Sequence, residues 1–238
     1  MVTPHHVCPW GLKALDLLEH EGVSVDDHYL RSRDETDAFK REYHVETTPQ
    51  IFIDGKRIGG YEALREHFGK HVRSAKETTY RPIVAIFSMA AVLAIAVSWS
   101  AYRAVPAAAT VRVFVGLATS FLALQKLRDV ESFSTMFLNY DLLARRWVRY
   151  AYVYPFAEAT AGVLMVAGAL WWLAGPIAVV IGGIGAVSVF KAVYVDKREL
   201  KCACVGGSSN VPLGFVSLTE DLMMVAMGIW LAISHAAG

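Results

Sequence analysis

Five apolar runs, at about residues 82–102, 109–127, 150–173, 176–195 and 214–234, constrain this chain more than anything else in it. Each is close to twenty residues, the length a helix needs to cross the hydrocarbon of a bilayer. In hydrocarbon every backbone N–H and C=O must be bonded internally, so such runs have to be helices packed on one another. From residue 82 onward the expected fold class is therefore an all-α polytopic membrane helical bundle. Residues 76–81 read as a linker, and residues 1–75 as a separate charged domain that holds all but one of the eight histidines.

Charge places the ends of these helices. With the N-terminus inside, the inner flanks hold Arg73, Lys76, Arg81, Lys126, Arg128, Arg145, Arg146, Arg149, Lys197, Arg198 and Lys201, and the outer flanks only Arg103 and Arg112. A Lys/Arg bias of eleven to two predicts a cytoplasmic N-terminus and an external C-terminus. The opening stretch MVTPHHVCPWGLKALDLLEHEG has no apolar core of a signal peptide, so the N-terminal domain is expected to stay where it is made. Trp99, Tyr102, Trp147, Tyr150, Tyr152, Tyr154, Trp171 and Trp172 stand at run ends, as an interfacial aromatic belt does. The segment DVESFSTMFLNYDLLARRWVR mixes Phe133, Met136, Phe137, Leu142 and Leu143 with charges. It fits an amphipathic helix on the membrane surface or a plain surface loop. A net charge of +1 gives no reason to expect nucleic acid, and three cysteines do not make a secreted disulfide scaffold.

In the N-terminal domain, Leu12, Leu15, Leu17 and Leu18 form an apolar stripe that Gly22 ends, which predicts a helix. VSVDDHYL has strand character, and DETDAFKREYH opens with the acids a helix N-terminus prefers. TTPQIFIDGKRIGG predicts two strands around an Asp-Gly turn, and YEALREHFGK a last helix. The order helix, strand, helix, hairpin, helix is that of a small α/β layer structure. Little sequence remains for a first strand before Cys8, which leads to the expectation that the reading frame opens upstream of Met1.

Cys8-Pro9-Trp10-Gly11, Thr47-Thr48-Pro49 before IFIDG, and Ile58-Gly59-Gly60-Tyr61-Glu62 together resemble glutaredoxin, over nearly all of residues 1–70. The resemblance implies a thioredoxin-like α/β fold and a cis bond before Pro49. It implies glutathione as co-substrate, bound at Thr48, Pro49, Gly60, Tyr61 and Glu62, with the Thr48 backbone pairing with its cysteinyl part and Tyr61 and Glu62 meeting the γ-glutamyl end. Cys8 would lie just before helix residues whose N–H groups and dipole favour a thiolate. Two positions depart from the pattern. Gly11 replaces the second cysteine of a dithiol glutaredoxin, so Cys8 must work through glutathione or a partner thiol. His5 stands where the family often has Lys. The plain alternative is a thioredoxin-like domain kept as a binding module.

KCACVGG, residues 201–207, is the other thiol element. Cys202 and Cys204 follow KREL and precede GGSSN, which is loop chemistry, and Lys197, Arg198 and Lys201 favour thiolates there. Gly206 and Gly207 ease the turn a Cys-x-Cys disulfide needs. Ser217-Leu218-Thr219-Glu220 reads as a capping box for the last helix. Three readings of the pair stand: a redox pair, a soft-metal site for Cu(I) or Hg(II) on Cys202 and Cys204, or inert thiols. CACVGGSSNVPLGFVSLTEDLMM and the helical runs resemble the MauE/DoxX-like redox-associated membrane proteins, over about residues 82–238. That resemblance implies thiol–disulfide chemistry in a bacterial inner (plasma) membrane, with a protein thiol or disulfide as partner, and names no quinone.

Glu158 lies inside the third run, where an ionisable residue marks a functional site by default. Lys191 at similar depth is its expected partner, with Glu220 and Asp221 near that level; an ion pair that only orients the bundle is the alternative reading. Gly182, Gly183 and Gly185 read as close helix packing. The function expected is a membrane-bound, glutathione-dependent thiol–disulfide oxidoreductase: Cys8 as nucleophile, Cys202 and Cys204 as the exchanged pair. The alternative is a soft-metal or metalloid transporter or binding protein that uses the same thiols. A thiol reagent that cannot cross membranes should leave Cys8, Cys202 and Cys204 unlabelled in intact cells. Labelling of the loop pair from outside contradicts this orientation.

Overall fold

The computed structural model describes residues 2–3, 6–72, 78–200, 202–203 and 211–236. The chain divides into two compact units, residues 1–75 and 76–238.

In the first unit, β1 (Val2–Thr3) pairs antiparallel with β2 (His6–Val7), and α1 follows over Pro9–His20. α2 (Arg33–Glu42) begins at Ser32, whose hydroxyl accepts from the Glu35 N–H at 3.1 Å. β3 (Ile51–Ile53) and β4 (Lys56–Gly59) form a hairpin through Asp54 and Gly55, both at positive φ, and α3 (Tyr61–His67) follows. The core is Ala14, Leu17, Leu18, Ile51 and Leu64. The helical stripe is thus Ala14–Leu17–Leu18, while Leu12 is exposed. The strand expected in VSVDDHYL does not form. Among the described residues no strand lies beside it, and an extended segment without a ladder partner gains nothing from the strand geometry.

The second unit is helical: α4 (Arg81–Tyr102), α5 (Ala107–Leu127), α6 (Val130–Phe137), α7 (Val148–Ala167), α8 (Trp171–Phe190, continued by a π-helical turn, Lys191–Val195) and α9 (Phe215–Ala236). Four spans are long and apolar enough to cross a membrane: Arg81–Tyr102, Ala107–Leu127, Trp171–Val195 and Phe215–Ala236. α7 falls short of that mark because Arg149, Glu158 and three tyrosines dilute it. Its boundary with α8 also differs from the expected one. Gly168 ends α7 at φ 66°, and Pro176, where the next run was expected to begin, lies inside α8, where it leaves one i→i−4 hydrogen bond unmade.

Small residues set the helix spacing. A Cβ on Gly162 would lie 2.5 Å from Ser120 Oγ and 2.8 Å from the Gly116 carbonyl oxygen, so α5 and α7 touch backbone to backbone. Gly175 and Gly228 bring α8 and α9 together in the same way, and Gly182 lies against the Asp221 carbonyl; Gly183 faces open space.

α6 is amphipathic, but its apolar face turns into the bundle rather than onto a membrane surface. Phe133 and Phe137 are buried and stack around Tyr154, with Tyr140 and Tyr150 beside them. Tyr150 and Tyr154 therefore leave the expected aromatic belt, whereas Trp99, Tyr102, Trp147, Tyr152, Trp171 and Trp172 stay exposed. The arrangement predicts that Gly162→Leu destabilises the bundle by at least 1–3 kcal/mol, roughly, the usual cost of overpacking. Gly183→Ala should be near neutral. Thermal unfolding in detergent checks both.

Candidate functional site

Cys8 caps α1, half-buried, with its carbonyl accepting from the Leu12 N–H at 3.2 Å. Position 11 faces it: a Cβ there would sit 3.8 Å from the Cys8 Cβ, which is where a second thiol would stand if Gly11 were cysteine. Trp10 leads to Tyr61, ring centroids 5.9 Å apart, and Gly60 abuts the Pro49 carbonyl, 3.7 Å from where its Cβ would lie. The Thr48–Pro49 bond is cis. Thr48 and Pro49 are partly buried, and Glu62 is exposed in the first turn of α3. Loop, glycine turn and helix start thus meet at one end of the unit, because the hairpin returns the chain to Gly60 beside Pro49. His5 lies outside the described residues, as does Cys204 with Lys201, Gly206 and Gly207.

Cys202 is described, and it is fully buried. That differs from the exposed loop its polar flanks imply. Its N–H donates to the Val211 carbonyl at 2.8 Å, and the Leu213 N–H donates to Leu200, also at 2.8 Å. These two bonds zip the ends of the loop together and press Cys202 among Ile83, Leu122, Val211 and Val216. Its Sγ lies 3.0 Å from Ser217 Oγ. Ser217 is not a helix cap: α9 starts at Phe215, after Gly214 at φ 153° has turned the chain, so Ser217 already points from the first turn.

One turn further along α9 a buried charge cluster begins. Lys126 Nζ lies 2.6 Å from both Glu158 oxygens and 2.8 Å from Glu220 Oε1, with side-chain exposures of 2% or less throughout. Its ammonium also sits 5.3 Å from the Tyr154 ring centroid. Asp221 is buried with its carboxylate flat on Gly185, where a Cβ would come within 2.6 Å of Oδ1. Glu158 and Glu220 are thus brought together, but not by the cation expected. Lys191 is exposed and paired with Asp196 at 2.9 Å, because the π-helical turn after Phe190 carries it to the surface. Lys126, expected among the inner flanking cations, belongs instead to the core.

Asp141, in the α6–α7 connection, completes the polar side. Its Oδ1 accepts from the Leu143 and Ala144 amides at 3.0 and 2.7 Å, and the Leu142 N–H donates to Ser188 Oγ. Burial pushes its carboxyl up from the usual carboxylate range, partly offset by those amide bonds. Sequence reading placed Asp221 and Glu220 near Glu158, but it took Ser217 for a helix cap and missed Lys126 and Asp141 as members of the cluster. Only Lys126, a charge within an apolar run, carried a local signal. The other end of the bundle holds a cavity of about 350 Å³ lined by Arg112, Trp171, Trp230 and His235 among others. Among the described residues its wall holds no thiol or carboxylate.

The comparisons with known proteins agree with this division. The family model described as "Methylamine utilisation protein MauE" matches residues 104–234, more than half of the chain. The chain belongs to the MauE family. The glutaredoxin family model matches residues 1–58, so a glutaredoxin domain and a MauE domain share one chain. No curated protein and no solved structure matches. With four apolar spans, the MauE part makes this a multi-pass membrane protein.

Breaking the buried triad is costly, because an ion left alone in an apolar interior loses several kcal/mol. Lys126→Met should cost roughly 3–5 kcal/mol on that scale. Adding Glu158→Gln and Glu220→Gln to it should restore much of the loss, as read by unfolding in detergent.

Proposed function

We propose that this protein is a membrane-bound thiol–disulfide oxidoreductase in which glutathione, acting through Cys8, reduces the Cys202–Cys204 pair of the MauE bundle. The observation that carries the reading is the glycine facing Cys8. A glutaredoxin-type cysteine with Gly11 in the resolving position closes no disulfide within CPWG, and the same chain supplies a second thiol element. Gly60, Tyr61, Glu62 and the Thr48–Pro49 loop would hold glutathione, with the exchange on the cytoplasmic face and α7 as a fifth crossing. Because α7 joins α8 through only Gly168, Ala169 and Leu170 and packs backbone to backbone on α5, it shares their depth.

The exchange balances as follows. The Cys8 thiolate attacks Cys204, whose bond to Cys202 breaks, leaving a Cys8–Cys204 disulfide and a Cys202 thiol. One glutathione displaces Cys204 from Cys8, and a second removes the first as glutathione disulfide, so two electrons reach the pair. Cys204 is the sulfur attacked because Cys202 is fully buried. About twelve residues join Gly69 to Arg81, a tether of at most about 40 Å, so the domain stays at high effective concentration near the bundle.

Cys202→Ser should accumulate a Cys8–Cys204 disulfide within single chains under mild oxidation, seen as a gel shift that Cys8→Ser abolishes. If no Cys8-dependent crosslink forms, the two thiol elements serve separate partners. If purified protein instead carries stoichiometric soft metal and the pair never oxidises, the metal-transport reading replaces this one.

A further inference from the structure

We propose that Ser217 and Asp221, backed by the Lys126–Glu158–Glu220 cluster, form a buried proton-exchange site that serves the sulfur of Cys202. This rests on the reading of Cys202–Cys204 as a redox pair and assigns chemistry to residues that the reading leaves without a role.

Reducing a disulfide consumes protons as well as electrons, and a sulfur expelled inside an apolar pocket cannot leave as a naked anion at low cost. Cys202 is fully buried among Ile83, Leu122, Val211 and Val216, so bulk water does not reach it in this structure. Ser217 Oγ, 3.0 Å from Sγ, can receive and pass a proton in the same motion. Asp221 is four residues on, one helical turn along the same face of α9. Its carboxylate is buried against Gly185 of α8, next along α9 from Glu220 of the ion cluster.

The groups facing this site come from every element around it. α5 gives Lys126, α7 gives Glu158 and the buried Tyr150 and Tyr154, and α9 gives Glu220 and Asp221. The α6–α7 connection gives Asp141, and α8 gives Ser188 and the bare backbone of Gly185. Tyr150 OH and Asp141 Oδ2 are buried there without a hydrogen-bond partner among the described residues. Among the described residues of the helices, one buried cation stands against three buried carboxyl groups. Lys126 pairs with Glu158 and Glu220, and a buried carboxyl outside that pairing is held at least cost as the neutral acid. Gly185 is part of the device, since any side chain there would displace the Asp221 carboxylate from its seat.

The step balances. As Cys8 forms its bond to Cys204, the Cys204–Cys202 bond breaks, and the pair of electrons goes to Cys202 sulfur. That sulfur takes the Ser217 hydroxyl proton, and Ser217 takes one from Asp221. In the reverse direction, Cys202 attacks the mixed disulfide while Asp221 takes its proton back. General acid–base assistance of this kind is worth on the order of a hundredfold or more in rate.

The test uses the full-length protein in lipid vesicles. Infrared difference spectra are recorded between the oxidised and the glutathione-reduced pair, with mass spectrometry reporting the disulfide. Oxidation should change a carboxylic-acid C=O band that shifts in D2O and disappears in Asp221→Asn. That variant should reduce at least about a hundredfold more slowly, with a flattened pH profile, while Asp221→Glu restores part of the rate. If the disulfide forms and is reduced while every carboxyl band stays silent in the wild-type protein, the proton-exchange site is wrong and the redox reading stands. If no Cys202–Cys204 disulfide can be formed at all, both are overturned.

Discussion

A lysine ammonium held between two glutamates inside an apolar bundle is the interaction on which this structure depends. Lys126, Glu158 and Glu220 come from three different helices, and none of them can be left alone in that interior. Small apolar residues allow helices to slide or rotate at modest cost, as glycine contacts specify closeness better than register. An ion triad does specify register: moving α9 by one residue turns Glu220 away from Lys126. Fixing α9 also fixes Ser217, one turn earlier, at the sulfur of Cys202. The charge cluster and the thiol are therefore parts of one arrangement, joined by the first turns of a single helix.

The glycines make that arrangement possible. Gly116 and Gly162 let α5 and α7 approach until the Lys126 and Glu158 side chains can meet. Gly185 leaves the volume that the Asp221 carboxylate fills. In the glutaredoxin unit a glycine does the opposite kind of work: Gly11 leaves the position that faces Cys8 without a side chain. One unit offers a half-buried thiol and the other a buried one.

Much of this was legible in the sequence, and the failures have physical causes. The CPWG, TTP and GGYE motifs placed the first unit because each is a short local signal bound to one turn or helix start. The apolar runs gave the number of long helices, since length and composition are local too. What did not show was direction. Tyr150 and Tyr154 look like belt residues at a run end but turn inward toward Phe133 and Phe137. Lys126 looks like a flanking cation yet is 1% exposed. Lys191 looks like the partner of Glu158 and is not, because a π-helical turn carries it to the surface, where it pairs with Asp196. Rotation about a helix axis depends on partners far away in sequence, which is also why Cys202, flanked by loop residues, could be expected outside and is found inside. The VSVDDHYL segment failed for the related reason that a strand needs a neighbour.

The central claim is that glutathione reaches the Cys202–Cys204 pair through Cys8. Its most direct measurement is the rate at which reduced glutathione reduces the Cys202–Cys204 disulfide of the purified full-length protein in vesicles. Alkylation and mass spectrometry follow the pair with time, comparing wild type with Cys8→Ser. The account predicts rapid reduction in the wild-type protein, independent of protein concentration, and loss of most of that rate in Cys8→Ser. Equal rates in the two proteins would contradict it, because the glutaredoxin domain would then play no part in delivering electrons to the membrane bundle.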